Sequence, residues 1–340
     1  MIDLSAIKPN VVSRDVRGYS FLIYGGPKVG KTTLLSRFPK HLIVAAEKGY
    51  SAIPNAMAVP INSWAEFLQV LGQLKSDNKK YEIAKAKSEK YERMFETIGI
   101  DVVDILYDYC EKYVLAQNGV QKVSDIPFGQ GYALIAKEFD EKLRSIVQMN
   151  YGLVLISHAK ITKSEDNPDL SYATCTLGNK PKNICTRLVD IYGYATVDQT
   201  EDGLIHALHV RQTPEWDAGS RFKYMEETIP LTYKSLVDAI HNAIDREAED
   251  FGDEIVTTDN SINHYTVEEQ PSYDELMNSI NGLIEEIMNK AINEDNGDKA
   301  QLIISSIISK YLGEGAKLSK ATPNQIEQLT MIELELKEVE

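Results

Sequence analysis

Gly25-Gly26-Pro27-Lys28-Val29-Gly30-Lys31-Thr32 is the stretch of this 340-residue chain whose residue types and spacing specify a chemistry most directly. It follows the strand-favouring run Ser20–Tyr24 and fits the strand–GxxxxGK[ST]–helix pattern without a mismatch. Gly25 and Gly30 let the backbone turn tightly, so that consecutive N–H groups point inward at phosphate oxygens. Thr32-Thr33-Leu34-Leu35 then opens a helix whose positive end faces the same anion. In such a loop the lysine, Lys31, reaches the β- and γ-phosphates and the Thr32 hydroxyl takes a place on Mg²⁺. The stretch Gly25–Thr33 therefore reads as a binding site for a nucleoside triphosphate.

Hydrolysis asks for more: a second acidic group for the metal, and a group that orients or deprotonates water. Asp101 ends an apolar strand, at the sheet edge where ligands of open α/β sheets bind. It reads as the metal-supporting carboxylate or as a helix N-cap, with Asp104 a competitor one turn into the helix. Glu47 ends the strand directly after the phosphate-loop helix and is the candidate general base, or else a solvated loop glutamate. Ser157-His158 ends the next core strand, as a donor or γ-phosphate sensor or as an ordinary, partly buried pair.

The elements that must position these residues are legible as apolar runs and caps. His41–Ala46, Met57–Ile61, Met94–Ile100 and Tyr151–Ile156 have the length and composition of strands, three of them continuous enough to be buried on both faces. Ser63-Trp64-Ala65-Glu66 is a capping box that starts a helix through about Lys75, and Lys79–Glu92 is charged and helix-prone and reads as a surface hairpin or insertion. Helices follow over Val102–Ala116, Tyr132–Asn150 and Leu231–Ile244. Leu188–Val197 and Leu204–Gln212 read as strands joined by a turn at Asp198–Gly203. Asn118–Gly131 reads as a loop, and Ala159–Lys182 as polar and irregular. The expected fold class is α/β, a mainly parallel sheet flanked by helices over residues 1–245, followed by an acidic linker at 246–270. Residues 271–340 hold a small all-α module with caps at Ser272 and Thr322 and a stop at Gly313.

Charge is distributed unevenly. The net −15 resolves into 29 basic and 30 acidic residues over 1–245, against 7 and 21 over 246–340. The nucleotide-binding part is thus nearly neutral, and overall basicity gives no argument for nucleic acid. The acidic end could compete with DNA for the core, dock a basic partner, or keep the chain soluble. No run of 18 apolar residues occurs and Met1–Arg17 has no signal-peptide block, so no membrane role is expected. Cys110, Cys175 and Cys185 have no metal-ligand spacing and read as buried free thiols of a reducing cytosol.

The phosphate loop, LIVAAEKGY at 42–50, IGID at 98–101 and GLVLISHAK at 152–160 together resemble the RecA-type ATPase core. More closely, the chain resembles the bacteriophage-encoded RecA-like ATP-binding proteins that act as single-strand annealing recombinases, over about Gly18–Ile244. That resemblance implies a RecA-like P-loop NTPase fold binding ATP and Mg²⁺, with Glu47 as catalytic base, Asp101 as the Walker B aspartate and Ser157-His158 at the sensor position. It implies that Arg221, within Trp216–Phe222, completes a neighbouring subunit's site in a homo-oligomer; Gly219 stands where the family carries a lysine. It also implies single-stranded DNA held by loops 118–131 and 159–182, where Lys122, Phe128, Lys160, Lys163, Tyr172, Lys180 and Lys182 supply charge and stacking faces. For a phage-encoded protein the compartment would be the host cytoplasm. A rival reading is a nucleotide-dependent loading module that recruits a single-strand-binding protein or helicase through the C-terminal region. A small-molecule kinase would need a lid with clustered arginines, and none occurs between Glu47 and Arg221.

Overall fold

Alternation of side chains in the run after Gly18 builds the centre of the molecule. The computed structural model describes residues 10–163, 171–200, 203–252, 256–258, 272–293 and 296–339. In chain order these give β1 (Val12–Ser13), β2 (Ser20–Gly25), α1 (Lys31–Leu35), β3 (His41–Ala45), β4 (Ala58–Pro60), α2 (Trp64–Ala86), β5 (Thr97–Asp101) and α3 (Val103–Gln117). There follow α4 (Gly131–Gln148), β6 (Gly152–Lys163), β7 (Ser171–Cys175), α5 (Asn179–Leu188), β8 (Ile191–Thr200), β9 (Gly203–His209), β10 (Gly219–Ser220), β11 (Thr228–Pro230), α6 (Tyr233–Phe251) and β12 (Val256–Thr257). The last three helices are α7 (Tyr273–Asn293), α8 (Gly297–Leu312) and α9 (Ile326–Lys337).

The main sheet runs β11-β9-β8-β2-β6-β5-β3-β4. Strands β8, β2, β6, β5, β3 and β4 are mutually parallel, while β9 and β11 continue antiparallel. Period-two alternation sends Leu22 and Tyr24 to one face and Phe21 and Ile23 to the other. The first face is covered by Trp64, Phe67 and Leu71 of α2, Leu106 and Cys110 of α3, Ile135 and Phe139 of α4, and Ile184 of α5. The second is covered by Leu34 and Leu35 of α1 and by Leu236, Ile240 and Ile244 of α6. Each such side chain contributes roughly 1.5–3 kcal/mol of burial. A parallel sheet clad on both faces, with the Asp101 strand separated from the phosphate-loop strand by β6, is the RecA-like P-loop NTPase fold.

Several expected boundaries move, each for a physical reason. Helix α2 does not stop near Lys75 but runs to Ala86, because Leu71, Leu74 and Ala84 keep one buried stripe while the lysines point outward. Helix α1 is only five residues long, so phosphate-binding capacity rests on loop N–H groups and Lys31 more than on a helix dipole. The stretch Ala159–Lys182 is not irregular. Strand β6 continues to Lys163 and pairs antiparallel with β7, Ala159 opposite Cys175 and Lys163 opposite Ser171, and α5 starts at Asn179. Pro181 sits in the first turn of α5, where its missing N–H has no intrahelical partner to lose. Residues 164–170 of that stretch, like 201–202 of the expected turn and 1–9 of the lead-in, lie outside the described residues.

Contacts divide the chain into two compact units, Met1–Thr266 and Val267–Glu340. In the first, α6 extends to Phe251 and β12 pairs in parallel with β1, so part of the stretch expected as linker is structured; 253–255 and 259–270 lie outside the described residues. The second unit is a three-helix cluster around Leu276, Ile280, Ile304, Ile307, Leu329 and Ile332. The capping box at Thr322 forms, with Gln325 reciprocating. Among the described residues no helix is long and apolar enough to cross a membrane, and all three cysteines are free and buried.

Candidate active site

In-register pairing of four parallel strands brings the chemistry to one edge. Gly25 of β2 lies opposite His158 of β6, Ile156 of β6 opposite Asp101 of β5, and Asp101 opposite Ala45 of β3. The chain leaving β3 curls back, with the Ala46 and Glu47 N–H groups donating to the Asp101 carbonyl at 2.7 and 3.2 Å. Glu47, Asp101, His158 and the phosphate loop therefore converge, although 133 residues separate the first glycine from the histidine.

Lys31 is 6% exposed, and its ammonium donates to the Gly25 and Gly26 carbonyls at 2.9 and 2.8 Å. Burial lowers its pKa, opposed by the nearby carboxylates of Asp101, Glu47 and Asp104. The Thr32 hydroxyl donates to Asp101 Oδ2 at 2.7 Å. Asp101 is 3% exposed; burial raises its pKa, the Thr32 bond pulls it down, and Glu47 pushes it up again. His158 Nε2 lies 3.2 Å from Glu47 Oε1, and the carboxylate can only accept, so this nitrogen donates. Lys28 and Gly30 take left-handed backbone conformations, at φ 62° and 109°, which bends the loop around its own centre.

Mg²⁺ fits this donor set. A hydroxyl and one carboxylate on hard oxygen, with phosphates to supply the rest, is how proteins bind that ion. Among the described residues no cluster of three His, Cys, Asp or Glu side chains offers a dedicated metal cage. Gly49 provides a second fit: a Cβ there would lie 3.1 Å from Thr32 Oγ1 and 3.3 Å from Asp101 Oδ2. The absent side chain is what leaves room beside those two oxygens.

Asp104 is engaged by hydroxyls: its Oδ1 accepts from the Ser157 hydroxyl at 3.1 Å and the Thr176 hydroxyl at 2.6 Å, whereas the Thr32 hydroxyl bonds Asp101. Sequence reasoning missed Thr176, Gly49 and also His206, whose Nδ1 lies 2.7 Å from the Val29 carbonyl. Arg221 is not brought to this cluster. It pairs with Asp190 at 3.0 Å and donates to the Arg187 carbonyl, while Asp190 accepts from the Ser20 N–H at the opposite end of β2. That places it about a strand length, roughly 17 Å, from its own phosphate loop.

The two expected DNA loops differ in form. Residues 118–130 hold two short 3₁₀ turns and present Phe128, 95% exposed, at φ 60°. The second is the β6–β7 arm, which exposes Lys160, Ile161 and Lys163. Lys182 is tied to Asp217 and Thr174, and Lys180 stands over the Tyr132 ring at 5.4 Å.

Comparison with known proteins adds the following. Residues 17–222 match the family model described as an AAA domain. The chain is 28% identical over 349 residues to the SPbeta prophage-derived uncharacterized protein YorG of Bacillus subtilis (strain 168), covering 99% of this chain and 98% of that one. It is similar to the crystal structure of a KaiC-like protein of Pyrococcus horikoshii, with 12% identity and a TM-score of 0.30 over 58% of this chain and 80% of that one. It is also similar to the flagellar accessory protein FlaH of Methanocaldococcus jannaschii, with 10% identity and a TM-score of 0.33 over 63% and 84%.

Proposed function

The chain belongs to the AAA-domain family of P-loop ATPases, and on that premise we propose that it is a phage-encoded, Mg²⁺-dependent ATPase acting on single-stranded DNA in recombination, annealing or repair. The observation that carries this reading is the convergence of Lys31, the Thr32–Asp101 pair and the Glu47–His158 pair on one sheet edge. Lys31 and the loop Gly25–Thr33 hold the phosphates. Thr32 and Asp101 would hold the metal, which supplies charge neutralisation on the phosphate oxygens when bound. Glu47 Oε takes the proton of the attacking water, and His158, donating to the same carboxylate, fixes its orientation. Arg221 acts on a second copy in a homo-oligomer, since its own loop is out of reach. The prophage origin of the Bacillus subtilis relative supports the phage assignment, and with it the host cytoplasm.

The arm bearing Lys160 and Lys163, and the exposed Phe128, support contact with unpaired DNA: ammonium groups meet phosphates and an aromatic face meets bases. The test is ATP turnover with and without single-stranded DNA, at two salt concentrations, with Lys31→Ala as blank. Stimulation that fades with salt supports the reading; turnover indifferent to DNA removes the DNA part of it.

A second reading rests on the separate compact unit Val267–Glu340, which would recruit a single-strand-binding protein or helicase. Truncation after Thr266 distinguishes the two, because β12 must be kept to pair with β1. An annealing enzyme retains strand annealing without the helical unit, whereas a recruiter loses its partner.

A further inference from the structure

Three elements meet at the backbone of His158. Its carbonyl accepts the Thr176 N–H at 2.9 Å, one step beyond the last β6–β7 pair, Ala159 opposite Cys175. From the third element, Asp104 in the first turn of α3 presents one oxygen, Oδ1, to both the Ser157 hydroxyl at 3.1 Å and the Thr176 hydroxyl at 2.6 Å. Each hydroxyl has one proton and a second acceptor in reach, the His158 carbonyl at 3.3 Å. A bond to a carboxylate is roughly twice as strong as one to a neutral carbonyl, so both protons go to Asp104. The residue before His158 on β6, and the residue that bonds its carbonyl from the β7 side, are thus tied to a single oxygen on α3.

The imidazole needs that support. The His158 and Glu47 side chains are 35% and 38% exposed, so no close-packed wall sets their 3.2 Å contact, and so exposed a pair is weak by itself. We infer that Asp104 is a positioning residue for hydrolysis: through the Ser157 and Thr176 hydroxyls it fixes the backbone of His158, and with it the ring that orients Glu47. The inference rests on the reading in which Glu47 takes the proton of the attacking water. Asp104 has one other way to act. Burial lowers the Lys31 pKa, and the Asp104 charge opposes this behind Asp101 and Glu47. Asparagine separates the two roles, because it discards the charge and keeps Oδ1 for the hydroxyls. Its amide nitrogen would take the place of Oδ2, which is buried without a hydrogen-bond partner.

Single-turnover hydrolysis and equilibrium ATP binding by the full chain in Mg²⁺ test this. Asp104→Ala is expected to slow turnover at least about tenfold with ATP affinity within about threefold, because misplacing a catalytic group costs rate and not binding. Asp104→Asn is expected to restore turnover to within about threefold of the unaltered chain. Thr176→Val, at an exposed position, removes one of the two hydroxyls and is expected to slow turnover about threefold. In a His158→Ala chain, Asp104→Ala or Thr176→Val is expected to add a factor of less than about two, since the ring they position is gone. Unaltered turnover in Asp104→Ala or Thr176→Val overturns the inference. So does a full further loss in the His158→Ala chain, or a loss matched in ATP affinity. An asparagine variant as slow as the alanine one also overturns it, and would assign the effect to charge on Lys31. Should Asp104→Ala not fold, Thr176→Val with and without His158→Ala decides alone. Glu47→Gln with unaltered turnover would instead overturn the reading on which the inference rests.

Discussion

Gly49→Ala separates the metal site from the fold around it. In the ligand-free protein the substitution has two small and opposing effects. Gly49 does not use a left-handed conformation, so alanine reduces unfolded-chain entropy and stabilises by roughly 0.4–1 kcal/mol. The new methyl, 3.1 Å from Thr32 Oγ1 and 3.3 Å from Asp101 Oδ2, is a few tenths of an ångström too close and costs on the order of 1 kcal/mol. The net change in ligand-free stability is therefore expected within about 1 kcal/mol of zero. The metal-bound protein is different. Mg²⁺ holds its oxygen ligands at roughly 2.0–2.1 Å in near-octahedral order and tolerates no carbon in that shell. Excluding one ligand water should weaken Mg²⁺-dependent ATP binding at least about tenfold, or about 1.4 kcal/mol. The assay is titration calorimetry of ATP in Mg²⁺ and in EDTA, beside a thermal melt of the free protein. The expected signature is a reduced Mg²⁺-to-EDTA affinity ratio, an unchanged EDTA affinity and a nearly unchanged Tm, with a larger effect for Gly49→Val. An unaltered ratio in both variants would refute the placement of the metal beside Thr32 and Asp101.

Other outcomes follow from the same geometry. Glu47→Gln should keep ATP affinity within a few-fold and lower turnover by about 10²–10⁴, read by single-turnover kinetics; unchanged turnover removes Glu47 from the chemistry. Asp101→Asn should raise the Tm of the ligand-free protein at pH 7 while abolishing the Mg²⁺ effect on ATP binding. Burial, the largest influence, raises the Asp101 pKa, so the folded state holds its proton to higher pH than the unfolded chain does. Its contribution to stability is thus lost as pH rises from the ordinary carboxylate value through the raised one. The two melts should therefore converge near pH 3, and a variant with lower Tm at pH 7 would contradict that sign. Replacing Lys160 and Lys163 by alanine should reduce the salt slope of single-stranded DNA binding by about 1.4, at about 0.7 per lost phosphate contact; an unchanged slope removes the β6–β7 arm from the interface.

The site was legible where backbone geometry forces residue choice. A loop that turns its N–H groups inward needs Gly25 and Gly30, and carboxylates at the ends of buried strands announce themselves against apolar runs, as Glu47 and Asp101 do. Gly49, Thr176 and His206 were not legible. They arrive from a coil after β3, from the return of an antiparallel arm, and from a strand paired on the far side of β8, and no local pattern encodes those registers. The same holds for the outer half of β6. Its residues, Ala159-Lys160-Ile161-Thr162-Lys163, put the two lysines three apart and so on opposite faces, and bury neither face, so pairing with β7 and not patterning makes it a strand. The second half of helix α2 is masked in the sequence by its charges, which dominate the composition there. The buried stripe Leu71–Leu74–Ala84 is sparse, and Arg93 closes its end by standing over the Tyr81 ring at 4.2 Å and the Tyr151 ring at 4.6 Å.

The parallel pairing of Val12 with Val256 and Ser13 with Thr257 has a consequence for how the chain is made. The Arg14 N–H donates to the Thr257 carbonyl at 2.8 Å, and the Arg14 carbonyl lies 2.8 Å from His241 Nε2, so the sheet pairing of the first strand depends on partners encoded far downstream, while the Tyr19 hydroxyl holds the Ser13 carbonyl locally at 2.6 Å. At a ribosomal rate of about 5–20 residues per second, the N-terminal strand waits roughly 10–50 s after its own synthesis before its partner emerges. During that interval β1 is without its β12 partner. The β1–β12 pair is therefore a late closure of the first compact unit, possible only as the helical unit begins to emerge.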